Sequence, residues 1–178
     1  TATCFTINAS HVVLNCAGYT INYSSDGTNG YGVTTIGNVS NVTIKNCLIV
    51  EGTSGFNDFA IYFENVSNSS VYNTTIITLG SDGRGISLFN SFNLTLANSS
   101  IRTGNGMGVK IDTSNNITVG STTMNISGGS YYGVYVLGSK YANITSNNIT
   151  TLQPDAYGIF YQSIVNSSVI EHNIITTN

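Results

Sequence analysis

The chain has 178 residues, of which 40% are hydrophobic and only 7% are charged, and its formal net charge is −3. The apolar fraction excludes a disordered polar chain, and five Lys and Arg residues are too few for a nucleic-acid partner, which needs concentrated cations. No apolar run approaches the roughly 20 residues of a membrane-spanning helix, so we expect no membrane span.

The first segment, from Cys4 to Tyr23, alternates apolar and polar residues and contains two of the three cysteines. The cysteines Cys4, Cys16 and Cys47 lack the paired close spacing of a zinc site. Two alternatives stay open for them: a disulfide, first of all Cys4–Cys16, or three buried thiols. We predict no metal site and no cofactor.

A recurring phrase organises the rest of the chain. Each copy begins with a glycine and an alternating apolar strand, and then has Asn-x-Thr/Ser. Six copies occur, at Asn41-Val42-Thr43, Asn68-Ser69-Ser70, Asn93-Leu94-Thr95, Asn116-Ile117-Thr118, Asn143-Ile144-Thr145 and Asn166-Ser167-Ser168. Repetition at about 25 residues predicts a solenoid, in which each repeat contacts mainly its neighbours.

Each repeat is expected to contain three short strands and no helix, because Val, Ile, Thr and Tyr dominate and turn residues punctuate the chain. The coils of a single domain, residues 1–178, start near residues 4, 32, 60, 85, 108, 133 and 158. Period-two alternation predicts these inward pairs in the first strand: Val33/Thr35, Ile61/Phe63, Ile86/Leu88, Val109/Ile111, Val134/Val136 and Ile159/Tyr161. It predicts these inward pairs in the second strand: Val42/Ile44, Ser69/Val71, Leu94/Leu96, Ile117/Val119, Ile144/Ser146 and Ser167/Val169.

Several of these phrases resemble a known family. They are Tyr31-Gly32-Val33, Asn41-Val42-Thr43-Ile44-Lys45-Asn46, Tyr157-Gly158-Ile159 and the opening Cys4-Phe5-Thr6-Ile7. The chain resembles the right-handed parallel β-helix repeats of the pectin-lyase-like superfamily. The resemblance implies an all-β, single-stranded parallel β-helix of about seven coils. It does not imply one function, because this fold carries lyases, hydrolases, adhesins and passive fibres.

The Asn-x-Thr/Ser column has three interpretations. Asn tolerates left-handed turns and can form side-chain ladders, so the column can be structural. The same triplet is the acceptor for N-glycosylation. Fourteen asparagines have it: Asn8, Asn22, Asn38, Asn41, Asn65, Asn68, Asn73, Asn93, Asn98, Asn116, Asn125, Asn143, Asn148 and Asn166. A regular column of hydroxyl groups could also form an ice-binding face, which is the minor alternative.

One outer strand face offers the only candidate for carbohydrate binding or chemistry. Its residues are Tyr62, Glu64, Arg84, Lys110, Asp112, Tyr135 and Phe160. Glu64 and Asp112 occupy equivalent positions two rungs apart, so their backbones are expected to lie about 9.6 Å apart, at the upper edge of the spacing for an inverting glycosidase. The alternative is a few solvated charges. The catalytic signatures of pectate lyases and polygalacturonases are missing, so we expect no enzyme.

These observations lead to one expected function and one alternative. We expect a non-enzymatic extracellular structural protein, a surface or filament subunit that stacks head to tail on copies of itself and has covalent N-glycans. No capping helix precedes Cys4 and the chain stops just after a strand, so either the domain is cut from a longer chain or copies stack head to tail, and we expect the stacking. The alternative is a carbohydrate-binding or polysaccharide-cleaving β-helix domain, with polysaccharide as its partner.

Overall fold

The structure is a computed structural model that describes residues 3–52, 56–129, 131–163 and 167–177. These ranges contain 22 short strands, which pair in parallel, and no helix. They therefore contain no helix long and apolar enough to cross a membrane. Asn166, one of the predicted glycosylation sites, lies outside the described residues.

The strands form three parallel sheets, which the chain visits in turn. Sheet A contains Phe5–Ile7, Tyr31–Thr35, Phe59–Glu64, Arg84–Phe89, Val109–Asp112, Tyr132–Leu137 and Tyr157–Gln162. Sheet B contains Val13–Asn15, Thr43–Lys45, Val66–Tyr72, Phe92–Ala97, Asn115–Gly120, Lys140–Thr145 and Val169–Glu171, with Val39–Ser40 paired beside its third strand. Sheet C contains Thr20–Tyr23, Leu48–Glu51, Thr75–Ser81, Ser100–Asn105, Thr123–Ile126, Asn148–Thr151 and Ile174–Thr177. One strand from each sheet makes a coil, and coils 1 to 7 confirm the predicted solenoid with three strands per turn.

The core is a stack of apolar side chains that all three sheets point inward. The predicted inward residues of sheet A are buried in coils 2 to 6, as Ile61, Phe63 and Val134 illustrate with no exposed surface. In coil 7, Ile159 and Tyr161 are only partly buried. Their strand is the last of sheet A, so no further described coil covers them. A single coil cannot bury its inward side chains by itself, so the stacking of neighbouring coils supplies the hydrophobic stabilisation.

The glycines near the start of the sheet A strands have a packing role. A Cβ atom on Gly85 would lie 2.5 Å from Ile101 Cγ2 and 2.6 Å from the carbonyl oxygen of Gly108. On Gly133 it would lie 2.4 Å from Ile149 Cγ2. An isoleucine of sheet C therefore occupies the space under the corner where the chain passes into sheet A, and a side chain there would displace it.

The register of sheet B differs from the prediction in the last two coils. Thr118 pairs with Asn143, and Ile117 pairs with Ala142, so Ala142 and Ile144 point inward. The predicted inward position of Ser146 was wrong: Ser146 is exposed and has a left-handed backbone, φ 56°.

In coil 7 the prediction that Val169 points inward was also wrong. Ile170 pairs with the inward Ile144, while Val169 pairs with Asn143. Apolar packing sets the register of both coils, and the Asn-x-Thr/Ser triplet shifts around it because loop lengths vary.

The cysteine pairing also differs from the expected one. The disulfide joins Cys16 to Cys47, 31 residues apart, and Cys4 is a free, exposed thiol that donates a hydrogen bond to the Asn22 carbonyl at 2.8 Å. Cys16 and Cys47 follow the sheet B strands of coils 1 and 2, so they lie one above the other at the same corner, with Cα atoms 4.8 Å apart. Cys4 begins sheet A, which is why the predicted Cys4–Cys16 pair was wrong.

Candidate functional site

The outward side chains of sheet A form a continuous surface, which we call the sheet A face. The register aligns Thr34, Tyr62, Ser87, Lys110, Tyr135 and Phe160 along its middle column. A second column contains Glu64, Phe89, Asp112, Leu137 and Gln162. Six of the seven predicted face residues lie in these two columns, and Arg84 pairs with Phe59 at the start of its strand. The role of all seven residues stays a prediction.

Four aromatic rings pack together on the face in coils 6 and 7. They are Tyr132, Tyr135, Tyr157 and Phe160, and we call them the four-ring cluster. The rings of Tyr132 and Phe160 are stacked, with centroids 4.9 Å apart and planes 11° apart. The Tyr135 hydroxyl donates a short hydrogen bond to Gln162 Oε1. Because the rings brace one another, they form a preformed apolar surface rather than separate side chains.

Three more rings pack together in coils 2 and 3. Tyr31, Phe59 and Tyr62 form this three-ring cluster, in which Tyr31 and Tyr62 are stacked with centroids 5.2 Å apart. The guanidinium carbon of Arg84, in coil 4, lies 4.5 Å from the centre of the Phe59 ring, within cation–π range. Both ends of the face are thus aromatic.

Four of the seven rings, namely Tyr31, Phe59, Tyr132 and Tyr157, were not among the predicted face residues. Each precedes the first inward residue of its strand by two positions and stands three residues before the outward residue of the middle column. Period-two alternation therefore gives these rings the inward parity and not the parity of the face. The recurring aromatic residue directly before glycine, in Tyr31-Gly32, Tyr132-Gly133 and Tyr157-Gly158, was the signal that would have found three of them.

Polar side chains occupy the centre of the face, between the two ring clusters. Lys110 Nζ and Asp112 Oδ2 form an ion pair at 2.7 Å, and both side chains are 18% exposed. Thr113 donates its hydroxyl to Asp112 Oδ1 at 2.9 Å. Tyr62 donates its hydroxyl to Glu64 Oε2 at 3.2 Å. Each carboxylate is therefore oriented by a neighbouring side chain.

The two carboxylates occupy aligned positions but are not neighbours. Glu64 pairs with Phe89 and Phe89 pairs with Asp112, so one coil separates them, as predicted. The Phe89 side chain lies between them in the same column and is 39% exposed. An apolar ring flanked by two carboxylates can support a sugar ring with a carboxyl group on each side.

Burial and neighbouring charges shift the pKa values of two residues of this centre, Tyr62 and Arg84. Burial, with a further contribution from Glu64, raises the pKa of Tyr62 to about 12, so this phenol stays protonated and remains a donor at neutral pH. Burial lowers the pKa of the Arg84 guanidinium, which Asp82 and Asp112 partly oppose. Arginine nevertheless stays charged, so Arg84 is a partly desolvated cation on the face.

The corner that begins the sheet B strands contains a ladder of asparagine side chains. Asn93 Nδ2 donates to Asn68 Oδ1 at 2.7 Å, and Asn116 Nδ2 donates to Asn93 Oδ1 at 3.0 Å. All three have left-handed backbones, with φ between 50° and 57°. A second ladder joins Asn15, Asn46 and Asn73 at 2.9 and 2.7 Å. These contacts support the structural interpretation of the Asn column.

The ladders divide the predicted glycosylation sites. Five of the asparagines use their side chains in hydrogen bonds to another asparagine: Asn65, Asn68, Asn73, Asn93 and Asn116. Seven others are exposed and belong to no such ladder: Asn8, Asn22, Asn38, Asn41, Asn98, Asn125 and Asn148. Asn143 is partly buried. Glycosylation itself stays a prediction for all of them.

The hydroxyl column predicted for the minor, ice-binding alternative is shorter than expected. Thr43, Ser70, Thr95 and Thr118 are in register over four coils. The next partner is Asn143, while the predicted member Thr145 pairs with Gly120. The predicted Ser168 accepts a hydrogen bond from the Ala142 backbone N–H at 3.0 Å. The register break in coil 6 therefore ends the array.

Comparison with known proteins identifies the family. A family model described as the right handed beta helix region matches residues 5–125, so the chain belongs to this family and the predicted resemblance is confirmed. No curated protein sequence matches the chain significantly.

Two solved structures share the fold over nearly the whole chain. The periplasmic alginate epimerase AlgG has a TM-score of 0.62 at 13% identity, covering 99% of this chain and 47% of its own. The enzymatically active domain of tailspike protein 2 from bacteriophage CBA120 has a TM-score of 0.54 at 12% identity, covering 98% of this chain and 32% of its own. The chain thus spans less than half the length of either structure, and at these identities the likeness establishes the fold alone.

These two structures contradict the expected function. We expected a non-enzymatic structural protein that forms surface layers or filaments, and no enzyme. The first structure is a periplasmic alginate epimerase and the second is an enzymatically active domain, so the shared fold occurs in enzymes. The alternative, a carbohydrate-binding or polysaccharide-cleaving β-helix domain, is the better supported reading.

Proposed function

We propose that the chain is a carbohydrate-active β-helix domain that binds a polysaccharide along the sheet A face, parallel to the solenoid axis. The observation that supports this most is the arrangement of two aromatic clusters on either side of a polar centre. Coils 3 and 6 hold Tyr62 and Tyr135 in the same column. At about 4.8 Å per rung they lie about 14 Å apart, so an extended oligosaccharide can contact both clusters at once.

The reaction that this centre suits best is cleavage of a glycosidic bond. Glu64 and Asp112 are separated by two rungs, about 9.6 Å of backbone, which approaches the spacing of an inverting pair. In such a pair one carboxyl group protonates the leaving oxygen and the other activates water. Phe89 would support the sugar ring between them, and Lys110 would hold the Asp112 carboxylate in place.

The place of action that fits this function is extracellular. The Cys16–Cys47 disulfide is typical of proteins outside the reducing cytosol, and the alginate epimerase that shares the fold is periplasmic. N-glycans on exposed asparagines outside the ladders, such as Asn98 and Asn125, would not cover the sheet A face. These asparagines belong to sheets B and C or their corners.

The test is to incubate the chain with a panel of polysaccharides and to measure cleavage as the release of reducing ends. The wild-type chain is expected to cleave at least one polymer, and Glu64→Gln and Asp112→Asn are each expected to lower the rate by at least about 100-fold, since general acid–base catalysis contributes at least that much. Glu171→Gln, an exposed acid on sheet B, is the matched control and should keep full activity.

Two results would overturn the proposal. One is a chain that neither binds nor cleaves any polymer in the panel. The other is cleavage that survives both Glu64→Gln and Asp112→Asn. Binding without cleavage would retain the ligand class and reject the cleavage reaction.

A further inference from the structure

Inside the solenoid, a group of polar side chains lies at the corner where the chain passes from sheet C into sheet A, in coils 1 to 3. Two of them are the carboxyl groups of Glu51 and Asp58, which are 1% and 0% exposed. Tyr23 and Thr78 are buried to the same degree. We call these four residues the inner polar group. Burying carboxyl groups in a core is unfavourable unless something compensates them.

Strand pairing and one glycine bring the four side chains together. Tyr23 pairs with Glu51 in neighbouring strands of sheet C, and the pairing of coils 2 and 3 places Thr78 at the next position of this column. A Cβ atom on Gly83 would lie 3.4 Å from the Asp58 carbonyl oxygen and 3.5 Å from Thr78 Cβ. Asp58 and Thr78 therefore flank the same point of the corner.

Three buried oxygen atoms of this group form no hydrogen bond with the described residues. They are Tyr23 Oη, Asp58 Oδ2 and Thr78 Oγ1. Burial raises the pKa of Tyr23, and Glu51 and Asp58 raise it further, so the phenol stays neutral and lies near both carboxyl groups. Buried polar atoms in folded proteins nearly always have a partner, so three such atoms at one corner indicate a bound ligand.

Hydrogen bonds from the backbone hold the two carboxyl groups in place. Asp58 Oδ1 accepts hydrogen bonds from the Gly30 N–H at 2.5 Å and from the Ser24 hydroxyl at 2.8 Å. Glu51 Oε2 accepts hydrogen bonds from two backbone N–H groups of coil 3, at 2.6 and 3.0 Å. Among the residues that the structure describes, no Lys, Arg or His forms an ion pair with Asp58. The carboxyl groups are thus oriented before a ligand binds, and a cation is the partner that would neutralise them.

The donor atoms of the inner polar group are all oxygens, which favours Ca²⁺ over a transition metal. Zn²⁺ prefers nitrogen and sulfur ligands, whereas Ca²⁺ takes about six to eight oxygens from carboxylates, neutral groups and water. Within the described part of the chain, no three Asp, Glu, His or Cys side chains converge on one point. Two carboxyl groups completed by neutral oxygens match the charge and the mixed ligand set of a Ca²⁺ site.

We propose that the inner polar group binds one Ca²⁺ ion. Asp58 Oδ2 and the Glu51 carboxyl group are its charged ligands, and the hydroxyl oxygens of Tyr23 and Thr78 are neutral ligands. The ion would link coils 1, 2 and 3 from the inside and fix the corner that leads into the three-ring cluster. The site lies within the solenoid and does not rest on the proposed function. Its residues come from three repeats, so no local sequence motif marks it.

The experiment measures bound metal and stability in the same samples. The chain is loaded with Ca²⁺ alone, dialysed against metal-free buffer and analysed by plasma mass spectrometry, which is expected to find one Ca²⁺ per chain. Chelation with EGTA should lower the melting temperature by several degrees, because a ligand that binds only the folded state stabilises it. Asp58→Asn should lose both the metal and the response to EGTA. Asp155→Asn changes an exposed acid at the same corner of the last coil and should keep both.

A second variant protects the test against a fold defect in Asp58→Asn. Tyr23→Phe keeps the ring and removes one oxygen, so it should weaken Ca²⁺ binding by about fivefold, the effect of losing one polar contact. In EGTA the same variant should be at least as stable as the wild type, because a buried hydroxyl with no partner is then removed.

Three results would overturn the inference. The first is a wild-type chain that retains no Ca²⁺ and melts at the same temperature in Ca²⁺ and in EGTA, which would leave buried water as the partner of these atoms. The second is full retention of Ca²⁺ by Asp58→Asn. The third is a Tyr23→Phe variant that binds Ca²⁺ as tightly as the wild type, which would remove Tyr23 from the site. All three leave the proposed function unaffected.

Discussion

The outer surfaces of sheets A and B are built on the same parallel coils and differ in how their residues change from coil to coil. At the sheet B corner the same residue type recurs, and Asn68, Asn93 and Asn116 bond to one another up the solenoid. On sheet A the middle column changes from Tyr62 to Lys110 and back to rings. A residue that recurs from coil to coil stabilises the stacking of the coils. A residue that differs from coil to coil is available to contact a ligand.

The largest expected effect comes from removing the ladder. The double change Asn93→Ala and Asn116→Ala deletes two side-chain hydrogen bonds and places alanine at two left-handed positions, φ 57° each. Denaturant unfolding should show a loss of about 3 kcal/mol in the free energy of unfolding. Affinity for the polysaccharide should stay unchanged.

A double glycine variant at the same positions separates the loss of the side-chain hydrogen bonds from the cost of a left-handed backbone. Glycine accepts the left-handed backbone but cannot form the ladder, so Asn93→Gly with Asn116→Gly should lose less stability than the alanine pair. Wild-type stability in the alanine pair would mean that the ladder contributes nothing, and a loss of polysaccharide affinity would mean that the two surfaces are not separate.

Changes in the ring clusters should affect polysaccharide binding more than stability, which is the reverse of the effect expected for the asparagine ladder. Phe160→Ala removes the ring stacked on Tyr132 and should weaken polysaccharide binding by about tenfold, the effect of losing a central aromatic contact. Its cost in stability should be about 1 kcal/mol, because only ring–ring packing on the surface is lost. Affinity electrophoresis in gels that contain the polymer measures the first effect, and thermal unfolding measures the second.

Tyr19→Ala is the control for this comparison, because Tyr19 is 79% exposed and lies at the corner between sheets B and C. Its removal should change neither quantity. Unchanged binding in Phe160→Ala would argue against the four-ring cluster as a sugar surface.

The smallest effect is a dependence of stability on alkaline pH. The pKa of Tyr62 is raised to about 12 in the folded chain, against 10 for the free phenol. The folded state thus holds its proton more tightly than the unfolded state, so this contribution is complete below pH 10 and is lost as the pH rises towards 12. Tyr62→Phe should flatten the fall in melting temperature over that interval.

Tyr161→Phe serves as the parallel variant, because burial raises the pKa of Tyr161 to about 12 as well, at a site away from Glu64. Identical melting curves for wild type and Tyr62→Phe between pH 10 and 12 would contradict the raised pKa of Tyr62, which burial causes first and Glu64 second. The effect should be modest, since Tyr62 is partly exposed and solvent screens the interaction.

The sequence predicted the solenoid and its inward residues because burial imposes a strict alternation on every strand. The same alternation located Tyr62, Tyr135 and Phe160 on one face. It failed for Tyr132 and Tyr157, which stand at a corner where alternation is interrupted before a glycine. It also failed for Ala142, because a small apolar residue gave a weaker signal than the Asn-x-Thr triplet beside it.

The spacing of residues along the chain could not predict the cysteine pairing or the proposed function. Cys16 and Cys47 are 31 residues apart, and only the loop lengths of the first two coils bring them to one corner. We expected no enzyme because the catalytic sequence motifs of related enzymes are missing. In a parallel solenoid, however, neighbouring residues of the outer face come from successive coils and are far apart in the sequence. Glu64, Phe89 and Asp112 belong to three different repeats, so no local motif can contain them.

The Cys16–Cys47 bond also makes the coils unequal in how they can separate from one another. Coils 1 and 2 cannot separate fully while the disulfide is intact, whereas coils 2 to 7 are held to their neighbours by non-covalent contacts alone, strand pairing and apolar packing among them. Local opening between the later coils therefore needs less free energy than opening between coils 1 and 2, so the four-ring cluster lies on the part of the solenoid that opens more readily.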